Sequence, residues 1–419
     1  MLCYLTVVEA RRKVIRVCEV RTEMTTVSSA KYFMFLCLSV LLFSVYLIST
    51  SERTPSVAPD LLYDFNMKYL LFWTPRSEHS PFTPMLEGVQ EFVKHNCEYQ
   101  NCFLTANRSY FESITKFDAL LFHGKELSVA ETTETLPKSR SPKQKYIFAT
   151  IESAHNYPMC DPIYDGFFNW TWTYRLDSDV RWGYLTVLDM QGQVVGPKAD
   201  MSWRQMNETI DDEVREQLKM KSKAVAWLVS HCQTRSFREL YALDLRENLS
   251  ALDLDLDIYG ACEGSQSCPR SHDCDRKLKN YYFYLAFENS FSVDYVTEKV
   301  LNAMDNFAVP IVFGDANYSR FLPPGSYINA KDMSPEQLAD TISNLISNSS
   351  QYEEFFRWRR FYRIVETTSN VDVCNLCATM NDKRKFMSES VYRNFREWWN
   401  NKDQKCPDRR KLIWKNTFT

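Results

Sequence analysis

The sequence predicts an α/β protein of two lobes, each built on a mainly parallel sheet. Three observations predict it. Short apolar runs rich in branched and aromatic residues recur along the chain, separated by longer polar segments, the alternation that strand–helix units produce. These runs form two series divided by the charged stretch 200–223, which has no long apolar run and suits a boundary between lobes. The 419 residues also exceed the size at which a single core keeps growing.

Taken in order, residues 1–31 form a tail carrying Arg11, Arg12, Lys13, Arg16, Arg21 and Lys31 against three glutamates. Tyr32–Ser49 follows without a charge, about the length that crosses a bilayer core as a helix. Its position after a long tail, without a small-residue cleavage site, fits a retained signal-anchor better than a cleaved signal peptide. The basic flank keeps the tail cytosolic and sends everything after residue 50 to the lumen. Two features agree with that topology. Sequons occur at Asn107, Asn169, Asn207, Asn248, Asn317 and Asn348, all on the lumenal side. Ten of the 13 cysteines also lie there, where an oxidising compartment favours disulfides whose pairing the sequence leaves open.

Residues 50–60 are polar and proline-containing, as a stem would be. The first lobe, 61–215, contains strand-like runs at Lys68–Trp73, Ala119–Phe122 and Tyr146–Ile151, and 135–145 reads as an exposed basic loop. The second lobe, 216–360, has strands at Ala224–Val229, Leu254–Tyr259, Tyr282–Phe287 and Val309–Phe313, with helices over Phe237–Leu249 and Thr297–Phe307. Residues 361–419 read as a helical tail that packs rather than reacts. Few Gly and Pro (10 and 16) and 45% hydrophobic residues exclude a disordered chain. A formal charge of −3 gives no long-range attraction for nucleic acid, so an anionic ligand needs local cations.

The densest polar cluster runs from Phe287 to Asn302. A strand ends at Phe287 and Thr297-Glu298-Lys299 opens a helix, the kind of junction where α/β lobes bind phosphates. Lys299 would add a cation, Glu298 could accept from ribose hydroxyls, and Glu288 and Asn289 are placed to meet the same ligand. By itself, Glu298-Lys299 reads more readily as a surface charge pair in the first helical turn.

The block Tyr284-Leu-Ala-Phe-Glu-Asn-Ser290, then Asp294-Tyr-Val-Thr-Glu-Lys299, Val309-Pro-Ile-Val-Phe-Gly314 and Asn317–Ser326 resembles the signature of the α1,3-fucosyltransferases. Phe168–Asp179 and Val225–Ser230 extend the resemblance over about residues 65–380. It implies two Rossmann-like lobes of the glycosyltransferase B type, with GDP-fucose bound by the second and a glycan acceptor mostly by the first. It also implies a Golgi, single-pass type II membrane enzyme. GDP-fucose is a substrate, and the resemblance implies no required cofactor or metal, a divalent cation being at most stimulatory. Position by position, Lys299 and Arg238 match the cations that bind the diphosphate. Tyr295 and Glu298 match guanosine- and ribose-side contacts, and Glu288 and Asn289 the donor-site acid and amide. Tyr174 and Arg175 should reach the donor from the first lobe. Inverting transfer needs a base for the acceptor hydroxyl, and Glu152-Ser153 resembles the segment that holds it.

The chain departs from the family pattern at His231-Cys232, where Asn usually follows the strand-ending Ser, and at Leu176, where the residue is often basic. Asp177-Ser178-Asp179 has the form of a metal–nucleotide site, but the resemblance makes it structural. Cys374-Asn-Leu-Cys377 has no partner pair at zinc-site spacing, so it reads as disulfide-forming, and Cys262, Cys268 and Cys274 as loop staples. Leu252–Asp257 reads as a strand with one wet face. Tyr259–Cys262 followed by Cys268-Pro-Arg270 is more similar to the subgroup acting on the innermost GlcNAc of N-glycans than to the Lewis-type subgroup. A catalytically inactive binding protein of the same fold is the alternative from another class; retention of both Lys299 and Glu152 argues against it. A receptor ectodomain fits worse still.

Overall fold

A computed structural model describes residues 66–76, 80–129, 136–262, 266, 277–367, 369–400 and 406. The expected tail, membrane span and stem, with Cys268 and Cys274, lie outside these residues. The described residues all belong to one compact unit.

The first sheet contains β1 (Lys68–Phe72), β2 (Cys102–Thr105), β3 (Ala119–His123), β4 (Lys145–Thr150), β5 (Trp170–Thr173) and β6 (Val180–Arg181). They run parallel in the order β2-β1-β3-β4-β5-β6. Every residue of β3, β4 and β5 is buried, which is why these strands read as continuous apolar or aromatic runs. Much of the core is aromatic: Phe72, Phe82, Trp170, Trp172 and Trp182, with Trp172 stacked on Trp182 at 4.2 Å between centroids.

A small antiparallel sheet follows, β7 (Leu185–Asp189) with β8 (Val194–Gly196). The second parallel sheet holds β9 (Lys223–Val229), β10 (Leu256–Gly260), β11 (Tyr281–Phe287), β12 (Val309–Phe313) and β13 (Ile328–Asn329), in the order β10-β9-β11-β12-β13. The core on one of its faces is mostly aliphatic, with Val225, Leu245, Leu249, Leu285, Ile311, Leu338 and Ile342 among its members, and the core on the other includes Tyr281, Tyr284 and Tyr318. Helix α1 (Arg238–Ser250) follows β9, α2 (Lys299–Met304) follows the loop after β11, and α3 (Pro335–Ser347) starts at a capping box on Ser334 and Gln337. At Gly260, φ is +133° and an added Cβ would stand 1.9 Å from the Val229 carbonyl oxygen. Only glycine fits where β10 ends against β9.

The C-terminal segment is not wholly helical. Strand β14 (Tyr362–Glu366) pairs with β7, because Tyr362 and Ile364 alternate as one buried face. The chain then returns to the first lobe through α4 (Ser369–Asn381), whose Val373, Leu376 and Met380 join the first core. Disulfides Cys97–Cys374 and Cys102–Cys377 lock it there, and Cys160–Cys406 ties a later point of the tail to the loop after β4. Phe395 and Trp399 of α5 (Phe395–Trp399) each pack edge-on against Phe148 at 4.9 Å.

Two other expectations change. In the basic loop, Arg140 stacks on Tyr146 at 3.8 Å, and Lys145 and Gln144 are buried, so its later half belongs to the packing. Of Leu252–Asp257, only the last two residues are in strand; Asp253 takes φ of +55° in a turn that ends α1.

Candidate active site

The two parallel sheets present the C-terminal ends of their strands to each other. In the second sheet the strand order reverses between β9 and β11, the kind of switch point at which open α/β sheets bind ligands. Arg238 follows β9 and Glu288 follows β11, so both sit there.

Phe237 turns the chain through a left-handed conformation, φ 52°, and Glu239 accepts from the Thr234 backbone N–H and hydroxyl at 3.0 and 2.8 Å. The turn sends the Arg238 side chain back under the strand ends. Its guanidinium donates to the Phe287 carbonyl at 2.5 Å and the His231 carbonyl at 3.4 Å. Its Nε is buried with no hydrogen-bond partner among the described residues. Burial lowers the Arg238 pKa, opposed by the nearby Glu288.

Glu288 is 1% exposed. It accepts from the Thr297 N–H at 2.9 Å and from Lys299 Nζ at 3.0 Å. Burial pushes its carboxyl up, against the pull of Lys299. Burial also disfavours the Lys299 ammonium, but the charges of Glu288 and Glu298 outweigh it and hold the Lys299 pKa above its ordinary value. Lys299 Nζ further donates to Thr297 Oγ1 at 2.6 Å, and Glu298, half-exposed, lies 3.5 Å from it. Gly314, after β12, has no room for a side chain: its Cβ would fall 2.3 Å from the Tyr318 hydroxyl and 3.5 Å from Glu288 Cγ. Asn289, half-buried, accepts from Ser290 Oγ at 3.2 Å, and its carbonyl takes the Ser236 N–H. The disulfide Cys232–Cys262 joins the loops after β9 and β10 beside this cluster, which gives the departure at Cys232 a structural role.

On the first lobe, Glu152 is half-buried just past β4. Its Oε1 accepts from the Ser153 N–H at 2.7 Å, Asn156 Nδ2 at 3.0 Å and, across the lobes, the Tyr295 hydroxyl at 2.9 Å. Ser290 bonds Ser153 at 2.5 Å and the His155 N–H reaches Ser292 Oγ at 3.3 Å. The loop after β4 therefore lies directly against the loop after β11.

The structure thus gathers Arg238, Glu288, Asn289, Glu298 and Lys299 in one place and brings Tyr295 to Glu152. Tyr174 is 2% exposed; its hydroxyl accepts the Ala154 N–H at 3.2 Å and its ring meets Tyr295 edge-on at 5.0 Å. Arg175 pairs with Asp177 through two contacts of 2.9 Å, donates to the Trp398 carbonyl and lies over the Trp398 ring. Its guanidinium is held by the tail. Asp179 accepts from the Thr171 N–H at 3.0 Å and the Tyr392 hydroxyl at 2.8 Å, so both acids of the Asp-Ser-Asp triplet are engaged in the packing. Leu176 gives its N–H to Asp294 at 3.2 Å while its side chain packs against the second lobe. Sequence reasoning missed Asn156, Tyr184, Ser290 and Ser292; only Ser290 carried a signal, as part of the Phe-Glu-Asn-Ser run.

Of the sequons, Asn107, Asn207, Asn317 and Asn348 are exposed and Asn248 half-exposed. Asn169 differs: its amide donates to the Ser390 carbonyl at 2.7 Å and accepts the Tyr146 N–H at 2.8 Å. That side chain joins β4 to the tail, which leaves it poorly suited to carry a glycan.

Residues 66–185 match the family model described as "Fucosyltransferase, N-terminal" and residues 218–398 the one described as "Glycosyltransferase family 10 (fucosyltransferase) C-term". The chain is 37% identical to alpha-(1,3)-fucosyltransferase C of Drosophila melanogaster over 75% of its length and 73% of that protein's. It is 31% identical to a 4-galactosyl-N-acetylglucosaminide 3-alpha-L-fucosyltransferase of Gorilla gorilla gorilla, over 69% of this chain and 70% of the other. A solved alpha1,3-fucosyltransferase with GDP-fucose aligns at a TM-score of 0.45 and 14% identity, over 78% of this chain and 92% of that one. By the matched family models and the identity to the insect enzyme, the chain belongs to the α1,3-fucosyltransferases of glycosyltransferase family 10 and is an enzyme.

Proposed function

We propose that the protein transfers L-fucose from GDP-fucose, with inversion, to a GlcNAc in α1,3 linkage, and that the acceptor is the core of an N-glycan. The observation that carries the reading is the meeting of a first-lobe carboxylate, Glu152, with a second-lobe cluster of two cations, Arg238 and Lys299. In this reading the lobes form the B-type arrangement with the substrates between them. Lys299 and Arg238 receive the diphosphate, Glu298 the ribose, and Glu288 holds Lys299 charged and in place. Asn289 completes the donor side, and Tyr174 and Arg175 shape the facing wall. Glu152 takes the proton of the acceptor hydroxyl as its oxygen bonds the anomeric carbon, and the bond from that carbon to the β-phosphate breaks so that GDP leaves with the electron pair. The segment Tyr32–Ser49 anchors the enzyme in the Golgi membrane with these lobes in the lumen.

Core specificity rests on the Tyr259–Cys262 and Cys268–Arg270 segments. The name of the gorilla relative favours a second reading, an N-acetyllactosamine acceptor. Incubation of the soluble enzyme with GDP-fucose and the two acceptors, read by mass spectrometry, separates them. Fucose on the innermost GlcNAc supports the core reading, and fucose only on N-acetyllactosamine overturns it. Transfer to neither acceptor, with no GDP released, counts against the assignment of donor and base.

A further inference from the structure

We propose that Tyr295, carried by the second lobe, is a positioning residue for Glu152: its hydroxyl fixes the orientation of the base against the lobe that binds the donor. This rests on the reading of Glu152 as base and goes beyond it, since the family resemblance places Tyr295 on the guanosine side.

Three observations support the role. The Tyr295 hydroxyl donates to Glu152 Oε1 at 2.9 Å, a contact between residues 143 apart in sequence. Its ring is 3% exposed and gripped edge-on by Tyr174 at 5.0 Å and Tyr184 at 6.1 Å. Tyr184 in turn donates to the Ile151 carbonyl at 2.6 Å, next to Glu152 in the chain. A ring packed on two sides has little freedom, so the bond it makes is directional. The loop that presents it is fixed as well: Asp294 takes φ of +59° and accepts the Leu176 N–H of the first lobe.

The chemistry asks for such a residue. A base must lie in line with bond formation, and a carboxylate free to rotate in a loop would spend little time there. Asn156 and the Ser153 N–H hold Glu152 from its own lobe. Tyr295 is the side chain that references it to the other. Burial, with Tyr184, Glu152 and Glu288 facing it, pushes the Tyr295 phenol well above its ordinary value, so it remains a donor throughout the working range.

The test is Tyr295→Phe in the full enzyme, which keeps the ring and removes the hydroxyl. The expected result is a fall in kcat of about tenfold to a hundredfold with the KM for GDP-fucose within about twofold. The acid limb of the kcat profile moves to higher pH, and in a Glu152→Gln background the substitution adds little further loss. If the Phe variant fails to fold, 3-fluorotyrosine at 295 keeps the ring and makes the hydroxyl more acidic; the acid limb then moves to lower pH. An unchanged acid limb with kcat at the wild-type level and a raised KM for GDP-fucose overturns the proposal in favour of a donor contact alone. So does an undiminished loss in the Glu152→Gln background. Near wild-type turnover of Glu152→Gln by itself removes the base assignment and the role of Tyr295 with it, whereas a slow Glu152→Gln beside an unaffected Tyr295→Phe removes only the latter.

Discussion

The two lobes share a parallel-sheet plan but are held together differently. The first has an aromatic core and borrows α4, α5 and three disulfides from the C-terminal tail. The second has a mostly aliphatic core on one face of its sheet and a tyrosine-rich one on the other, and among the described residues one short-range disulfide joins two of its neighbouring loops. Their reactive groups differ in the same sense. Glu152 is half-buried in a loop steadied by hydrogen bonds, while Glu288 and Arg238 are sunk into strand ends, Glu288 paired with Lys299 and Arg238 held by the Phe287 carbonyl. A pocket for a charged diphosphate gains from cations fixed in advance, because no reorganisation is then needed as charge develops. A base must remain open to its acceptor, so it is placed by its surroundings instead.

The sharpest break in the comparison is Glu152→Gln. Turnover should fall about 10²–10⁴-fold while GDP affinity, measured by calorimetry, stays near wild type. Equal loss of both would make Glu152 a folding residue. Next comes the tail. Replacing Cys97 and Cys374 together with serine should destabilise the protein by about 2–5 kcal/mol, and hydrogen exchange should locate the loss in the first lobe. Uniform exchange through both lobes would erase the distinction. Lys299→Ala should weaken GDP binding by about 1.5–3 kcal/mol and leave Glu288 buried without its cation, visible as lower thermal stability. Unchanged affinity would move the diphosphate elsewhere.

The smallest effect is a pH dependence of the first lobe. His123 is 2% exposed, and burial followed by the charge of Lys125 pushes its pKa down to about 4. Its folded value lies below the unfolded one, so the stability it contributes is complete above pH 6.5 and is lost as pH falls toward 4. Between pH 7 and 5 the loss should be roughly 1–2 kcal/mol, and His123→Leu should flatten denaturant midpoints over that range. An identical slope in the variant would assign the acid sensitivity to other groups.

The second lobe was the more legible of the two from sequence. Its donor cluster is nearly contiguous, Glu288 to Lys299, and β12 falls on the expected Val309–Phe313. The first lobe hides more. Strand β2 is four residues long, and the Trp-Thr-Trp-Thr of β5 alternates as if half-wet. It is buried throughout because Asp179 and Tyr392 satisfy Thr171. The partners of Cys97 and Cys102 lie 277 and 275 residues away, a distance no local pattern encodes. The residues around Glu152 escaped for a similar reason. Tyr184 and Asn156 are ordinary in their own neighbourhoods, and their value arises only where two loops from different lobes come together.

Strands β7 and β14, side by side, bear on how the lobes are joined. The chain leaves the first lobe through β7 and re-enters it after β14, and these passages are bonded by Thr367 N–H to the Tyr184 carbonyl at 2.9 Å and by Thr186 to Thr367 at 2.9 Å. Two paired strands flex together as one ribbon, while sliding past each other would break their ladder. The enzyme therefore has two covalent tethers at a single seam. A protease that nicks either passage alone leaves the halves connected.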